Sequence, residues 1–116
     1  MATTTKNQLI PTGTTEIPIV GTVLLVDGLY SDAWEANAYR TEAKGEEACI
    51  CCGKTVKPGR GFVVWSVEGA AGLAPIQNWP AMSDDLDGDW HAGNMGVGVL
   101  GSTCAKQIPT AYRARY

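Results

Sequence analysis

Four cysteines, three of them within four residues, are the feature that most restricts how this chain can fold. Cys49, Cys51 and Cys52 lie too close together to pair with one another, because a disulfide needs a specific separation of the two backbones. The N-terminus also lacks the basic start and apolar stretch of a secretory signal, so a disulfide framework is not expected. A bound metal ion explains the cluster better.

The segment from Cys49 to Lys54 has the form of a metal-binding turn. Two thiolates at positions i and i+3 can face the same ion, which favours Cys49 and Cys52 as the pair. Gly53 eases the tight curl that points backbone N–H groups at the thiolates. Cys51 is then the spare cysteine, although pairing Cys51 with either neighbour stays open as a less favourable arrangement.

Cys104 is the predicted third ligand. It follows Gly101, Ser102 and Thr103, a run that predicts the start of a helix with Ser102 as its cap. A thiol in the first turn of a helix has a lowered pKa, which supports the thiolate that a metal needs.

His91, the only histidine, is the predicted fourth ligand. It lies in residues 68–96, a long stretch rich in Gly, Pro, Asn and Asp that is unusual unless something anchors it. Asp87 and Asp89 are the alternatives for this position. The acidic run 84–89 lacks the final glutamate of a calcium loop, so we expect it to be solvated. The predicted ligands form a closed set for one structural Zn²⁺: Cys49, Cys52, His91 and Cys104.

The remaining pattern predicts an α+β fold, a small zinc-stabilised domain with short antiparallel strands and a C-terminal helix. Strands are expected over residues 17–26, 62–67 and 96–100, and a helix from Ser102 to about Pro109. Residues 29–38 fit a short strand or a helical turn, and 40–48 a solvated connector. We expect a flexible arm over 1–15, a single domain over 16–116 and a zinc core over 49–109.

Composition limits the function. The net charge of −3 argues against nucleic-acid binding over the whole surface, and no apolar run is long enough for a membrane span. We expect a location in the cytoplasm of a host cell or in a virion, without secretion by a signal peptide. With the one histidine assigned to the metal, no catalytic constellation remains, so we expect no enzyme and no small-molecule substrate. A basic face beside the metal keeps nucleic acid open as a partner: Lys54, Lys57, Arg60, Lys106 and Arg113.

Residues 49–109 carry a resemblance to a known group of proteins. The pattern Cys-x2-Cys-Gly-Lys, a following strand, and then Gly101-Ser102-Thr103-Cys104-Ala105-Lys106 resembles small zinc-binding proteins of bacteriophages and their hosts. The order of knuckle, hairpin and helix start is also similar to a treble-clef finger. This chain departs from that finger because its helix brings only one cysteine.

The acidic first part of the chain and its small rigid scaffold favour a non-enzymatic interaction protein, and with the resemblance they predict a bacteriophage or mobile-element accessory factor that binds a host or viral protein. A nucleic-acid-binding zinc finger and a structural component of a virus particle are the alternatives. The sequence does not determine the oligomeric state, and a homo-oligomer is one of the alternatives.

Overall fold

The computed structural model describes residues 8–85 and 93–116 of the chain. These residues form eight strands and three α-helices, joined by 3₁₀ turns at 68–70, 76–78 and 110–112. In chain order they are β1 (Ile10–Ile17), β2 (Gly21–Asp27), α1 (Asp32–Ala43), β3 (Glu47–Ala48), β4 (Thr55–Val56), β5 (Gly61–Val67), β6 (Gly72–Leu73), α2 (Trp79–Asp84), β7 (Gly96–Gly101), α3 (Ser102–Ala105) and β8 (Ala114–Arg115).

The strands form one six-stranded sheet and one small hairpin. The order of the large sheet is β1-β2-β6-β5-β7, with β8 also paired to β5, and the hairpin consists of β3 and β4. Every pairing between these strands is antiparallel. The predicted α+β class with short antiparallel strands is therefore confirmed, as are the strands predicted over 62–67 and 96–100.

The N-terminal part differs from the sequence prediction. The single strand expected over 17–26 is two strands, because the chain turns at residues 18–20 and Ile17 pairs with Gly21. Pro18 has no N–H to donate and Ile19 has a positive φ of 74°, so both suit the turn better than a strand. Residues 10–15, expected in the flexible arm, belong to β1, while residues 1–7 lie outside the described residues. An edge strand tolerates Pro11, and the threonines favour extended backbone.

Helix α1 resolves the segment that the sequence left undecided and replaces the first half of the expected connector. Ser31 is its N-cap, and the Ser31 hydroxyl accepts a hydrogen bond from the Trp34 N–H at 3.2 Å. Asp32 and Glu35 lie in the first turn, where carboxylates oppose the positive end of the helix dipole. The helix ends at Ala43 with Lys44 as its C-cap, and Gly45 follows with a φ of 74°, which a residue with a side chain adopts less readily.

The core consists of two clusters of buried side chains. The larger one joins both halves of the chain, because Leu24 and Val26 of β2 pack in the same cluster as Val64 and Leu100. Three of the four cysteines belong to it. The smaller one contains Val20, Val23, Val67, Ala74 and Met82. No helix in the described part of the chain is long and apolar enough to cross a membrane.

Candidate metal centre

The predicted metal-binding turn is the loop of the β3–β4 hairpin. Its backbone curls as expected: the Cys49 N–H donates to the Lys54 carbonyl at 2.8 Å, and the Gly53 N–H donates to the Cys49 carbonyl at 2.9 Å. Gly53 has a φ of 81°, a left-handed conformation that favours glycine. The turn therefore has the geometry that the cysteine spacing predicted.

Helix α1 holds this turn from one side. The Ser31 N–H donates to the Ile50 carbonyl at 3.1 Å, and the Ser31 hydroxyl donates to the Cys51 carbonyl. Further along the helix, the Asn37 side-chain amide donates to the Gly53 carbonyl at 2.6 Å. A side chain at Gly53 would overlap the Ala33 carbonyl group, whose carbon lies 2.7 Å from the position of such a Cβ. These positioning contacts come from a part of the chain to which the sequence assigned no role at the site.

Strand β7 holds the turn from the other side and leads to the third cysteine. The Ile50 N–H donates to the Val99 carbonyl at 2.9 Å. Helix α3 follows β7 directly and begins at Ser102, as predicted, but it is a single turn and its N-cap is Gly101 rather than Ser102. Cys104 lies within that turn and is buried. One backbone hydrogen bond thus ties the segment that carries Cys104 to the hairpin loop.

The fold brings three of the four predicted ligands together. The Sγ atoms of Cys49, Cys52 and Cys104 all lie within 4.8 Å of one another. Sulfurs around a tetrahedral zinc, with Zn–S distances of about 2.3 Å, are separated by roughly 3.8 Å. Cys49 and Cys104 are buried and Cys52 is partly exposed, and none of the cysteines is in a disulfide. This donor set fits a metal ion that prefers thiolates.

Negative charge is shared unequally among these thiols. Burial alone raises the pKa of Cys49, but hydrogen bonds to its sulfur outweigh burial and lower the pKa below its ordinary value. The donors are the backbone N–H groups of Cys52, Gly101 and Cys51, and the Cys52 side chain. The lowered pKa predicted for Cys104 from its place at a helix start is wrong, because burial first, and then repulsion from the neighbouring thiolates, raise that pKa. A cation between the sulfurs removes that repulsion, so the site favours a bound metal ion.

The described residues show no fourth ligand beside the three clustered cysteines. Within residues 8–85 and 93–116, no carboxylate or further cysteine meets the same mutual distance to all three sulfurs. Cys51 is fully buried, and burial raises its pKa to about 11, although its side chain is hydrogen-bonded with Cys104. His91, Asp87 and Asp89 all lie outside the described residues, so the prediction of His91 as a ligand stays a prediction.

The predicted basic face separates into two groups. Lys54, Lys57 and Arg60 line one groove of about 880 Å³, together with Cys52 and Cys104. Lys106 is exposed but does not line this groove. Arg113 is engaged elsewhere: its guanidinium lies 4.4 Å from the centre of the Phe62 ring, and its Nε donates to the Ile108 carbonyl at 2.9 Å.

Comparisons with protein-family models, with curated proteins and with solved structures found no match to this chain. The class of protein therefore follows from the fold and the site alone: an α+β domain with a three-cysteine cluster that can hold a metal ion.

Proposed function

We propose that this chain is a zinc-binding protein in which one Zn²⁺ is a structural element. The observation that supports this most directly is that Cys104, which is distant in sequence from Cys49 and Cys52, has its sulfur within 4.8 Å of theirs. Thiolates are preferred ligands of zinc, and sets of three cysteines and one histidine are common at closed zinc sites. His91 supplies the fourth ligand in this proposal.

A structural zinc also answers a physical need of this chain. Its second half is rich in glycine, and glycine loses more conformational freedom on folding than any other residue. The hairpin strands β3 and β4 have two residues each, too few for an independent stable hairpin. Zinc binding contributes about 10–16 kcal/mol in small zinc-finger peptides. A contribution of that size is enough to hold the metal-binding turn (Cys49 to Lys54) and the single-turn helix α3 in place.

We further propose that the protein acts by binding a partner rather than by catalysis. A zinc with four protein ligands has no position for a substrate, so its role is to support a surface. The resemblance of residues 49–109 to phage-type zinc-binding proteins supports a phage or mobile-element accessory factor that binds a host or viral protein. Affinity capture from host and phage-infected cells tests this part, and a single enriched protein that still binds the purified zinc form is the expected result.

Native mass spectrometry of the purified chain tests the metal. We expect one zinc ion per chain in the wild type, and loss of the ion in Cys52→Ala. The neighbouring variant Cys51→Ala is the matched control, because it removes a thiol from the same turn while leaving the three clustered sulfurs. A wild-type chain that carries no metal after expression and purification with zinc present would contradict the proposal.

The fourth ligand can be assigned by two further comparisons. His91→Ala is expected to weaken zinc binding by at least about 100-fold, since even outer-sphere partners of zinc ligands contribute 10–100-fold. Cys51→Ala is expected to leave the affinity nearly unchanged. Competition with a chromophoric chelator measures both, and the absorption spectrum of the Co²⁺-substituted protein distinguishes three sulfurs and one nitrogen from four sulfurs. Weak binding in Cys51→Ala together with full binding in His91→Ala would assign the fourth position to Cys51.

A further inference from the structure

The groove beside the metal centre has walls from two parts of the chain. One wall is formed by β4 and by the turn that connects it to β5, and the other by the end of β7 and the start of α3. Its volume is about 880 Å³, and its lining residues are Cys52, Lys54, Thr55, Val56, Lys57, Arg60, Gly101, Ser102, Thr103 and Cys104. A second groove, of about 430 Å³, has no charged residue among its described lining residues.

The backbone that carries the basic side chains is held in place. The Arg60 N–H donates to the Lys57 carbonyl at 2.9 Å, which closes the turn between β4 and β5. The Gly59 N–H donates to the Tyr116 carbonyl at 3.2 Å, so the C-terminal strand region also ties down this turn. The Lys54 carbonyl accepts the hydrogen bond from the Cys49 N–H that closes the metal-binding turn, which holds the backbone of Lys54. The three cations are thus presented from an ordered frame.

The charge of the groove is positive although the whole chain is negative. Lys54, Lys57 and Arg60 are exposed, and the described residues that line the groove include no Asp or Glu. One Zn²⁺ held by three thiolates adds a single negative charge, so the three cations leave the described part of the groove positive. The groove therefore attracts anions, although the net charge of the chain is −3.

The remaining lining residues favour phosphate over an apolar partner surface. Thr55, Ser102 and Thr103 bring hydroxyl groups, which together with Lys and Arg are the usual partners of phosphate oxygens. Among the described residues, no aromatic side chain lines the groove, and Val56 is the only aliphatic one. Protein interfaces typically depend on buried aromatic or aliphatic anchors, and base recognition by stacking needs an aromatic platform. Neither requirement is met in this groove.

We propose that this groove binds the sugar–phosphate backbone of a single nucleic-acid strand, without base preference, through Lys54, Lys57 and Arg60. The inference rests on the proposed zinc site, because the metal joins the two walls at Cys52 and Cys104. A concave groove accommodates one strand, and three cations match about three phosphates. The interaction is electrostatic, so it depends strongly on salt.

Fluorescence anisotropy with labelled oligothymidylate, oligoadenylate and oligouridylate tests the proposal on the zinc-loaded chain. For about three phosphate contacts to a single strand, log K is expected to fall against log salt with a slope of about −2. This slope corresponds to a roughly twentyfold loss of affinity between about 50 and about 200 mM salt. The three homopolymers are expected to bind within about threefold of one another, because none of the described side chains that line the groove is aromatic.

A charge-matched pair of variants locates the binding surface. The triple variant Lys54→Gln/Lys57→Gln/Arg60→Gln is expected to lose about tenfold or more of its affinity at low salt, together with most of the salt dependence. Arg40→Gln/Lys44→Gln/Arg115→Gln removes the same number of charges from exposed positions outside the groove and is expected to retain binding. Equal losses in both variants would show a general charge effect and would overturn the proposal.

Three further readouts separate this proposal from its competitors. Equal or tighter binding of poly-glutamate would assign the groove to an acidic protein segment, and a preference for duplex DNA would also overturn the single-strand assignment. Native mass spectrometry of the same samples reports zinc. If the groove variant loses zinc, its cations serve the thiolates and the proposal fails. If the wild type holds zinc but binds no oligonucleotide, the groove proposal fails while the zinc proposal stands.

Discussion

Removal of the metal ion is expected to unfold this protein, and Cys104→Ala is expected to have nearly the same effect. Burial, and then repulsion between thiolates that are held together without a cation, raise the pKa of Cys104. A structural zinc contributes on the order of 10 kcal/mol in small domains, whereas whole domains are typically stable by only about 5–15 kcal/mol. Without the ion, little of the folding free energy remains.

The unfolding is expected to include the N-terminal strands, although the sequence alone places the zinc core at residues 49–109. Cys49, Ile50 and Cys104 pack in the same buried cluster as Leu24 and Val26 of β2. A shared core unfolds as one cooperative unit in small domains. Unfolding of the metal-binding turn therefore also removes the contacts that its buried side chains make with the large sheet.

Thermal unfolding followed by circular dichroism measures this effect. The zinc-loaded chain is expected to show one transition that moves far down, or disappears, in the presence of a strong chelator and in Cys104→Ala. Thr103→Ala, an exposed position in the same turn of α3, is the matched control and should change the transition little. A transition temperature unaffected by chelation would exclude a structural metal.

Gly53→Ala is expected to destabilise the protein by about 2–5 kcal/mol. A side chain in the left-handed conformation costs about 1–2 kcal/mol, and an overpacked contact typically costs a further 1–3 kcal/mol. The new Cβ would overlap the Ala33 carbonyl group, which is helix backbone and cannot rotate away. The turn and helix α1 must therefore separate, and the hydrogen bond from Asn37 to the Gly53 carbonyl is lost with them.

Gly59→Ala is the matched control for this prediction. Gly59 has a φ of 84°, close to the 81° of Gly53, but a Cβ there would meet no atom within 4 Å. It is expected to cost only the conformational part, about 1–2 kcal/mol. Urea unfolding of both variants measures the difference, and zinc competition on the same samples should show weaker binding only in Gly53→Ala. Equal destabilisation in the two variants would show that α1 does not clamp the turn.

The local features of the metal centre could be predicted from sequence because they are properties of short segments. The i, i+3 spacing of Cys49 and Cys52, with Gly53 after them, is enough to specify a tight turn, and the structure has that turn. The run before Cys104 predicted the start of α3 to within one residue, although the helix ends at Ala105 rather than near Pro109. The strands β5 and β7 could be predicted equally well, since each is a short apolar run with glycines near its ends.

The sequence was less informative where two interpretations had similar local preferences. A chain with β-branched residues on both sides of Pro18 reads as one strand, and only the pairing of β1 with β2 shows that it turns there. Helix α1 had a sequence indication, a serine followed by acidic residues in the first turn, but its aromatic and small residues fit other structures too. Tertiary packing decided between them.

What the sequence by itself determined is therefore the chemistry: which thiols can share an ion, and which turn presents two of them. What only the tertiary structure decided is which other residues surround that site. The packing of distant segments brings Ser31 and Asn37 to the metal-binding turn. It also decides that Lys54, Lys57 and Arg60 share one groove and that Arg113 lies outside it. Ligand spacing is a local property of the backbone, whereas a shared wall or clamp exists only after the chain has closed on itself, so no single segment encodes it.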